Sequence, residues 1–190
     1  MNITIFGDSI ASGKQNGCDY SDIFVKSLEK RLKILTDNIN FYQFTIPGID
    51  SEQGKKMLKD IPLGCDYYIC VFGVNDAAKH HSVTSTEYME NMIGFSEHFG
   101  IDKTFLVTPP AFNNSVGTIK RENNLATLYS QRLIASANRK NCRVVDFNYQ
   151  LNLYSDFTYF LQKDGLHLNK EGYTLLAYLL TNKIISDNLI

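Results

Sequence analysis

Short apolar runs rich in β-forming residues alternate along this chain with longer segments whose apolar residues recur at helical spacing. That alternation restricts the fold more than any other feature. Strand-like runs occupy residues 3–6, 39–44, 67–72, 104–107 and 143–146. The third and fourth are almost continuously apolar, the pattern of parallel strands covered on both faces. Between the runs, residues 22–35 carry Ile23, Phe24, Leu28, Leu32 and Leu35 near helical spacing, and 51–58 form a shorter helical segment. A capping box of Thr84 and Glu87 opens a third helix that Gly100 closes. Residues 123–138 and 170–185, the latter capped by Asn169, complete the set. Strand alternating with helix predicts a three-layer α/β/α sandwich around a five-stranded parallel sheet, with right-handed crossovers placing helices on both faces. The 190 residues contain no repeat, linker or low-complexity tract, so a single domain over 1–190 is expected.

In such sheets the functional loops gather outside the carboxyl ends of the strands. The first three runs lead into polar, glycine-containing turns: Gly7-Asp8-Ser9-Ile10, Pro47-Gly48-Ile49-Asp50-Ser51 and Gly73-Val74-Asn75-Asp76. A fourth segment, Asp164-Gly165-Leu166-His167-Leu168-Asn169, stands just before the last helix. In a parallel sheet all four reach one rim. Their residue types are those that acyl transfer to a serine requires.

A serine hydroxyl is a poor nucleophile until a base takes its proton. Ser9 is the candidate nucleophile and His167 the candidate base, with Nε2 facing Ser9. Asp164, three residues earlier on the same turn, is placed to hold the imidazole tautomer through Nδ1. The tetrahedral oxyanion needs preorganised donors, for which the backbone N–H groups of Ser9 and Gly48 and the Asn75 amide are the candidates. Glycine at 48 lets the backbone approach a substrate with no Cβ in the way.

These segments resemble four of the sequence blocks of the SGNH hydrolases, also called the GDSL esterase/lipase family. Gly7-Asp8-Ser9-Ile10 is similar to the first block, with Ile for the usual Leu, and Gly48 matches the glycine of the second. Gly73-Val74-Asn75-Asp76 resembles the third and Asp164-Gly165-Leu166-His167 the last, in order, from residue 3 to about 180. Ile46-Pro47-Gly48-Ile49 lacks the Asn and second Gly often found in the second block, and Thr108-Pro109-Pro110 only weakly resembles the fourth. The resemblance implies the SGNH, flavodoxin-like sheet and a metal-free hydrolase of esters, thioesters or acetylated sugars, with no cofactor. The expected activity is a serine esterase removing small acyl groups, acetyl first, from a carbohydrate or similar metabolite through an acyl-enzyme. An O-acyltransferase with the same triad is the alternative. A third reading is a non-catalytic flavodoxin-like module, but the chain has no Gly-x-Gly-x-x-Gly or P-loop fingerprint, and that reading leaves Asp164 and His167 without a role.

Any one of these motifs alone is compatible with a plain turn or a helix cap; their conjunction carries the catalytic reading. Asp8 is expected to brace the nucleophile turn through backbone amides, and Asp76 to act as a turn acceptor. Ser51 and Ser115 read as ordinary loop residues. His80, His81 and His98 are expected to be solvated, the first two within reach of the rim. The aromatics of 147–160 read as packing under a long loop, with a pocket wall as the alternative. Phe112, Asn113, Asn114 and residues 116–121 read as a connection over the rim, a candidate lid.

Composition narrows the partners. With 19 Lys plus Arg against 20 Asp plus Glu, the net charge of -1 gives no sign of a nucleic-acid or anionic-membrane partner, which leaves a small-molecule ester as the expected one. At 44% apolar and 21% charged the chain is not a disordered one. Residues 1–6 run straight into the first motif with no signal-peptide pattern. Cys18, Cys65, Cys70 and Cys142 lack the spacing of a zinc site and read as reduced thiols of a cytoplasmic protein.

Overall fold

The computed structural model describes residues 1–34, 36–81, 83–116 and 121–186. Five strands, β1 (Asn2–Gly7), β2 (Asn40–Thr45), β3 (Tyr67–Val71), β4 (Thr104–Val107) and β5 (Arg143–Val145), form one sheet in the order β2-β1-β3-β4-β5. Every neighbouring pair is parallel. From β1 the chain steps out to β2, then returns across β1 to lay down β3, β4 and β5. The loops after β1 and β3 therefore part company at a topological switch point, where such sheets bind ligands.

Side-chain alternation splits the apolar strands between two cores. Ile3 and Ile5 of β1, Ile69 and Val71 of β3, and Phe105 and Val107 of β4 pack on one face. There they meet Phe24 and Leu28 of α1 (Ile23–Leu32) and Tyr173, Leu176 and Leu180 of α6 (Lys170–Ser186). Phe6, Tyr68, Cys70 and Leu106 point the other way, onto Tyr88, Met92 and Phe95 of α3 (Ser85–Phe99) and Tyr129 and Leu133 of α4 (Asn123–Lys140). This is why β3 and β4 read as continuously apolar: both faces are buried from Tyr68 onward in β3 and throughout β4.

Local signals hold at the helix ends. Thr84 and Glu87 form the expected capping box on α3, and Gly100 closes that helix at φ 106°. Asn169 accepts from the Gly172 N–H at the start of α6. The α1 pattern starts one residue late and ends at Leu32; Leu35 lies outside the described residues. Helix α2 (Ser51–Met57) follows β2. One helix was not anticipated, α5 (Phe147–Asn152). Asp146, which reads as the end of a strand, instead caps it by accepting from the Tyr149 N–H at 3.1 Å, and Thr108 Oγ1 donates to the same carboxylate. Phe147, Leu151 and Phe160 are buried in the core, Tyr149, Tyr154 and Tyr159 are exposed, and none of these aromatics lines the cleft that holds Ser9 and His167. Among the described residues no helix is long and apolar enough to cross a membrane.

Candidate active site

Gly7 ends β1 where only hydrogen fits, because a Cβ there would meet the Val71 carbonyl oxygen at 2.1 Å. The chain then turns sharply. Asp8 N donates to Val71 O, Asp8 Oδ1 accepts from the Ile10 N–H at 2.8 Å, and Tyr173 of α6 donates to the Ile10 carbonyl at 2.9 Å. Asp8 thus braces the turn that carries Ser9, as the sequence implies. Burial pushes its carboxyl up to about 8, with the hydrogen bond from the Ile10 N–H pulling the other way.

The last turn delivers the imidazole. Asp164 Oδ1 accepts from the N–H groups of Leu166 and His167, each at 3.0 Å, which folds the segment back on itself. Asp164 Oδ2 takes the Nδ1–H of His167 at 2.6 Å, leaving Nε2 as an acceptor for the Ser9 hydroxyl at 3.0 Å. Two residues 158 positions apart in the chain are thus in hydrogen-bond contact. Burial lowers the His167 pKa below its ordinary value, outweighing the Asp164 carboxylate that raises it, and Lys14 and Arg121 lower it further. Burial works to raise the Asp164 pKa, but its hydrogen bonds with His167 and the Leu166 backbone hold it below the usual carboxylate range. At neutral pH the pair is therefore a neutral imidazole on an ionised carboxylate, the state a general base requires.

Across the same cleft lie Gly48 and Asn75. Gly48 takes φ +91°, a left-handed conformation that favours glycine, and a Cβ there would meet nothing within 4 Å. Its glycine thus answers to backbone conformation and to the open side of the cleft, not to crowding by the protein. Asn75 Nδ2 donates one hydrogen to the Ile49 carbonyl at 2.9 Å. The cleft, of about 380 Å³, is also lined by Lys14, Asp19, His80, Arg121 and the rim residues Phe112, Asn113, Asn114 and Val116. Residues 117–120 of the candidate lid lie outside the described residues. Among the described residues no group of three or more His, Cys, Asp or Glu side chains is placed to hold a metal ion.

Sequence reasoning missed what joins the two sides of this site. Ile49, Asp50 and Ser51, three consecutive residues, each take a partner from the 75–81 segment. Asn75 binds the Ile49 carbonyl, His81 Nδ1 meets Asp50 Oδ2 at 2.5 Å, and Asp76 accepts from both the N–H and the hydroxyl of Ser51. Asn91 of α3 donates to the Ser51 hydroxyl. Ser51 is thus a buried link and not a plain loop residue, and His81 is half-buried and paired where it was expected to be solvated; only His80 is exposed on the rim. Burial raises the Asp76 carboxyl to about 6, with the Ser51 hydrogen bonds pulling the other way. The one local hint was proximity, since Asp50 and His81 lie within a few residues of Gly48 and Asn75. Arg121 ends the 116–121 connection read as a candidate lid, a reading that gave its side chain no role of its own.

The model of the GDSL-like lipase/acylhydrolase family matches residues 5–175. The chain belongs to that family. Membership makes it a carboxylic ester hydrolase. Its fold is similar to the crystal structure of a lipase/acylhydrolase from Enterococcus faecalis. That match has 26% identity and a TM-score of 0.86, covering 96% of this chain and 94% of that one. The acetyl xylan esterase AlAXEase shares the fold at 20% identity and a TM-score of 0.73, over 97% of this chain and 100% of its own. So does a catalytic mutant of Axe2, an acetylxylan esterase from Geobacillus stearothermophilus. There the identity is 18% and the TM-score 0.71, over 96% and 93% of the two chains. A comparison with curated proteins found no significant match.

Proposed function

We propose that this family member is a serine esterase that removes small acyl groups, acetyl above all, from an oxygen of a carbohydrate or similar metabolite. The observation that carries the reading is the unbroken chain Ser9 Oγ–H to His167 Nε2, 3.0 Å, and His167 Nδ1–H to Asp164 Oδ2, 2.6 Å. Ser9 attacks the ester carbonyl as its proton passes to His167. The oxyanion is held by the N–H groups of Ser9 and Gly48 and the second hydrogen of Asn75 Nδ2. The imidazolium then protonates the leaving alcohol, and the acyl group stays on Ser9. Water repeats the cycle with the same base and frees the acid.

The cleft supports the substrate class. At about 380 Å³ it is near the lower end of ligand pockets, and its lining sets the polar groups of Lys14, Asp19, His80, Asn113, Asn114 and Arg121 beside the apolar Pro47, Phe112, Val116 and Leu166, a mixture that suits a short acyl group on a hydroxyl-rich alcohol. Two of the structural neighbours are described as acetylxylan esterases, which agrees with a sugar substrate. The free thiols Cys18, Cys65, Cys70 and Cys142 support a reducing, cytoplasmic setting. The test is a chain-length series of p-nitrophenyl esters beside acetylated xylo-oligosaccharides, with free acetate measured in the presence and absence of sugar acceptors. Acetyl esters should be preferred, with one acetate released per turnover. A preference for long acyl chains, or acetate release replaced by transfer to the acceptor, would overturn it.

A further inference from the structure

We propose that Arg121 is a positioning residue: it holds the Asn75 amide in the one orientation that offers an N–H to the cleft. This rests on Asn75 being an oxyanion donor, the reading given above. A side-chain amide is nearly the same shape when turned by half a rotation, so sterics do not decide whether O or NH2 faces a given neighbour. The neighbours decide. On one side the Ile49 carbonyl accepts an Nδ2 hydrogen at 2.9 Å; on the other, Arg121 Nη2 donates to Oδ1 at 3.4 Å. Turning the amide over would set Oδ1 against the Ile49 carbonyl and NH2 against the guanidinium, two repulsive contacts in place of two attractive ones. It would also present an acceptor to the oxyanion.

The arginine is itself fastened to the turn it orients. Its Nε donates to the Val74 carbonyl at 2.9 Å, its backbone pairs with Ala78, and the next amide, Glu122 N–H, reaches the Ala77 carbonyl. The planar fork thus spans Val74 and Asn75 together, which one lysine ammonium cannot do in the same geometry. Arg121 is half-buried and lines the cleft, so its charge also acts on the base. The groups facing His167 are Asp164 on Nδ1, Ser9 on Nε2, and the cations Lys14 and Arg121, with Asp19 and His80 elsewhere on the cleft wall. Removing the Arg121 charge therefore raises the pKa of the acid limb.

The experiment is a double-mutant cycle on p-nitrophenyl acetate with Arg121→Met, Arg121→Lys, Asn75→Ala and the combined variants, folding being checked by circular dichroism. Arg121→Met should lower kcat about 10–100-fold, less than the about 10²–10³ expected for losing the donor itself. KM should move by less than about threefold, the signature of an interaction used in the transition state. In the Asn75→Ala background the same substitution should cost less than about twofold, since its target is gone. The acid limb should rise in Arg121→Met and stay in Arg121→Lys. The lysine variant, which also serves if the methionine one does not fold, should show a smaller kcat loss of the same kind. Equal losses in both backgrounds, a KM-only effect or an unchanged kcat would overturn the proposal while leaving Asn75 in its role. An unchanged kcat in Asn75→Ala would remove the oxyanion reading, and this inference with it.

Discussion

Among the described residues stand two histidine–aspartate pairs of nearly the same build. In each, one carboxylate oxygen organises a local turn while the other holds an imidazole Nδ1. Asp164 accepts from Leu166 and His167 N–H and binds His167 at 2.6 Å; Asp50 accepts from the Gln53 N–H at the start of α2 and binds His81 at 2.5 Å. The difference is in what else the ring touches. His167 Nε2 looks at the Ser9 hydroxyl, whereas the His81 ring lies tilted against that of His80, centroids 4.3 Å apart. The pair is a building element that fixes a ring. A nucleophile in contact with that ring separates a candidate base from a tie between loops.

Substitutions can break that contrast. Ser9→Ala or His167→Ala should lower kcat by about 10⁵-fold or more on p-nitrophenyl acetate, since a triad loses most of its effect with either member. His81→Gln should leave kcat within about tenfold because it touches no reacting atom. Comparable losses from the two histidines would erase the distinction. Next, Asp164→Asn should cost about 10⁴-fold by freeing the wrong tautomer. If Asp50→Asn cost as much, the second pair would belong to the chemistry.

The pH profile sharpens it further. Because burial depresses the His167 pKa, the ring stays neutral, and active, to a pH below its ordinary 6.5. Below its own pKa, kcat/KM should fall about tenfold per pH unit as imidazolium replaces base. A limb centred well above 6.5 would contradict the assignment. The smallest effect should be on stability: His81→Gln leaves Asp50 half-partnered, a loss of about 1–3 kcal/mol. For a domain of this size that lowers Tm by about 2–4 °C per kcal/mol. A wild-type Tm would show that the His81–Asp50 link carries no load.

How far the chain was legible varies with the range over which each signal acts. The β3 and β4 runs announced two-sided burial because their neighbours along the chain already show it. The Asp164–His167 contact spans three residues and was open to inspection in the same way. Helix α5 was hidden, because its cap, Asp146, stands directly after β5 and reads as that strand's last residue. The Asp50–His81 link spans 31 residues, and Arg121 meets Asn75 from 46 away, so neither leaves a pattern in any window of sequence.

By itself, then, the sequence determined the parallel α/β architecture and the candidate nucleophile, base and orienting carboxylate, because periodicity and short spacings are properties of contiguous residues. Only the tertiary structure decided what flanks the Asn75 amide and which loops are tied beneath the cleft. Those partners depend on β2 and β3 lying on opposite sides of β1, which sets which turns become neighbours at the carboxyl edge of the sheet.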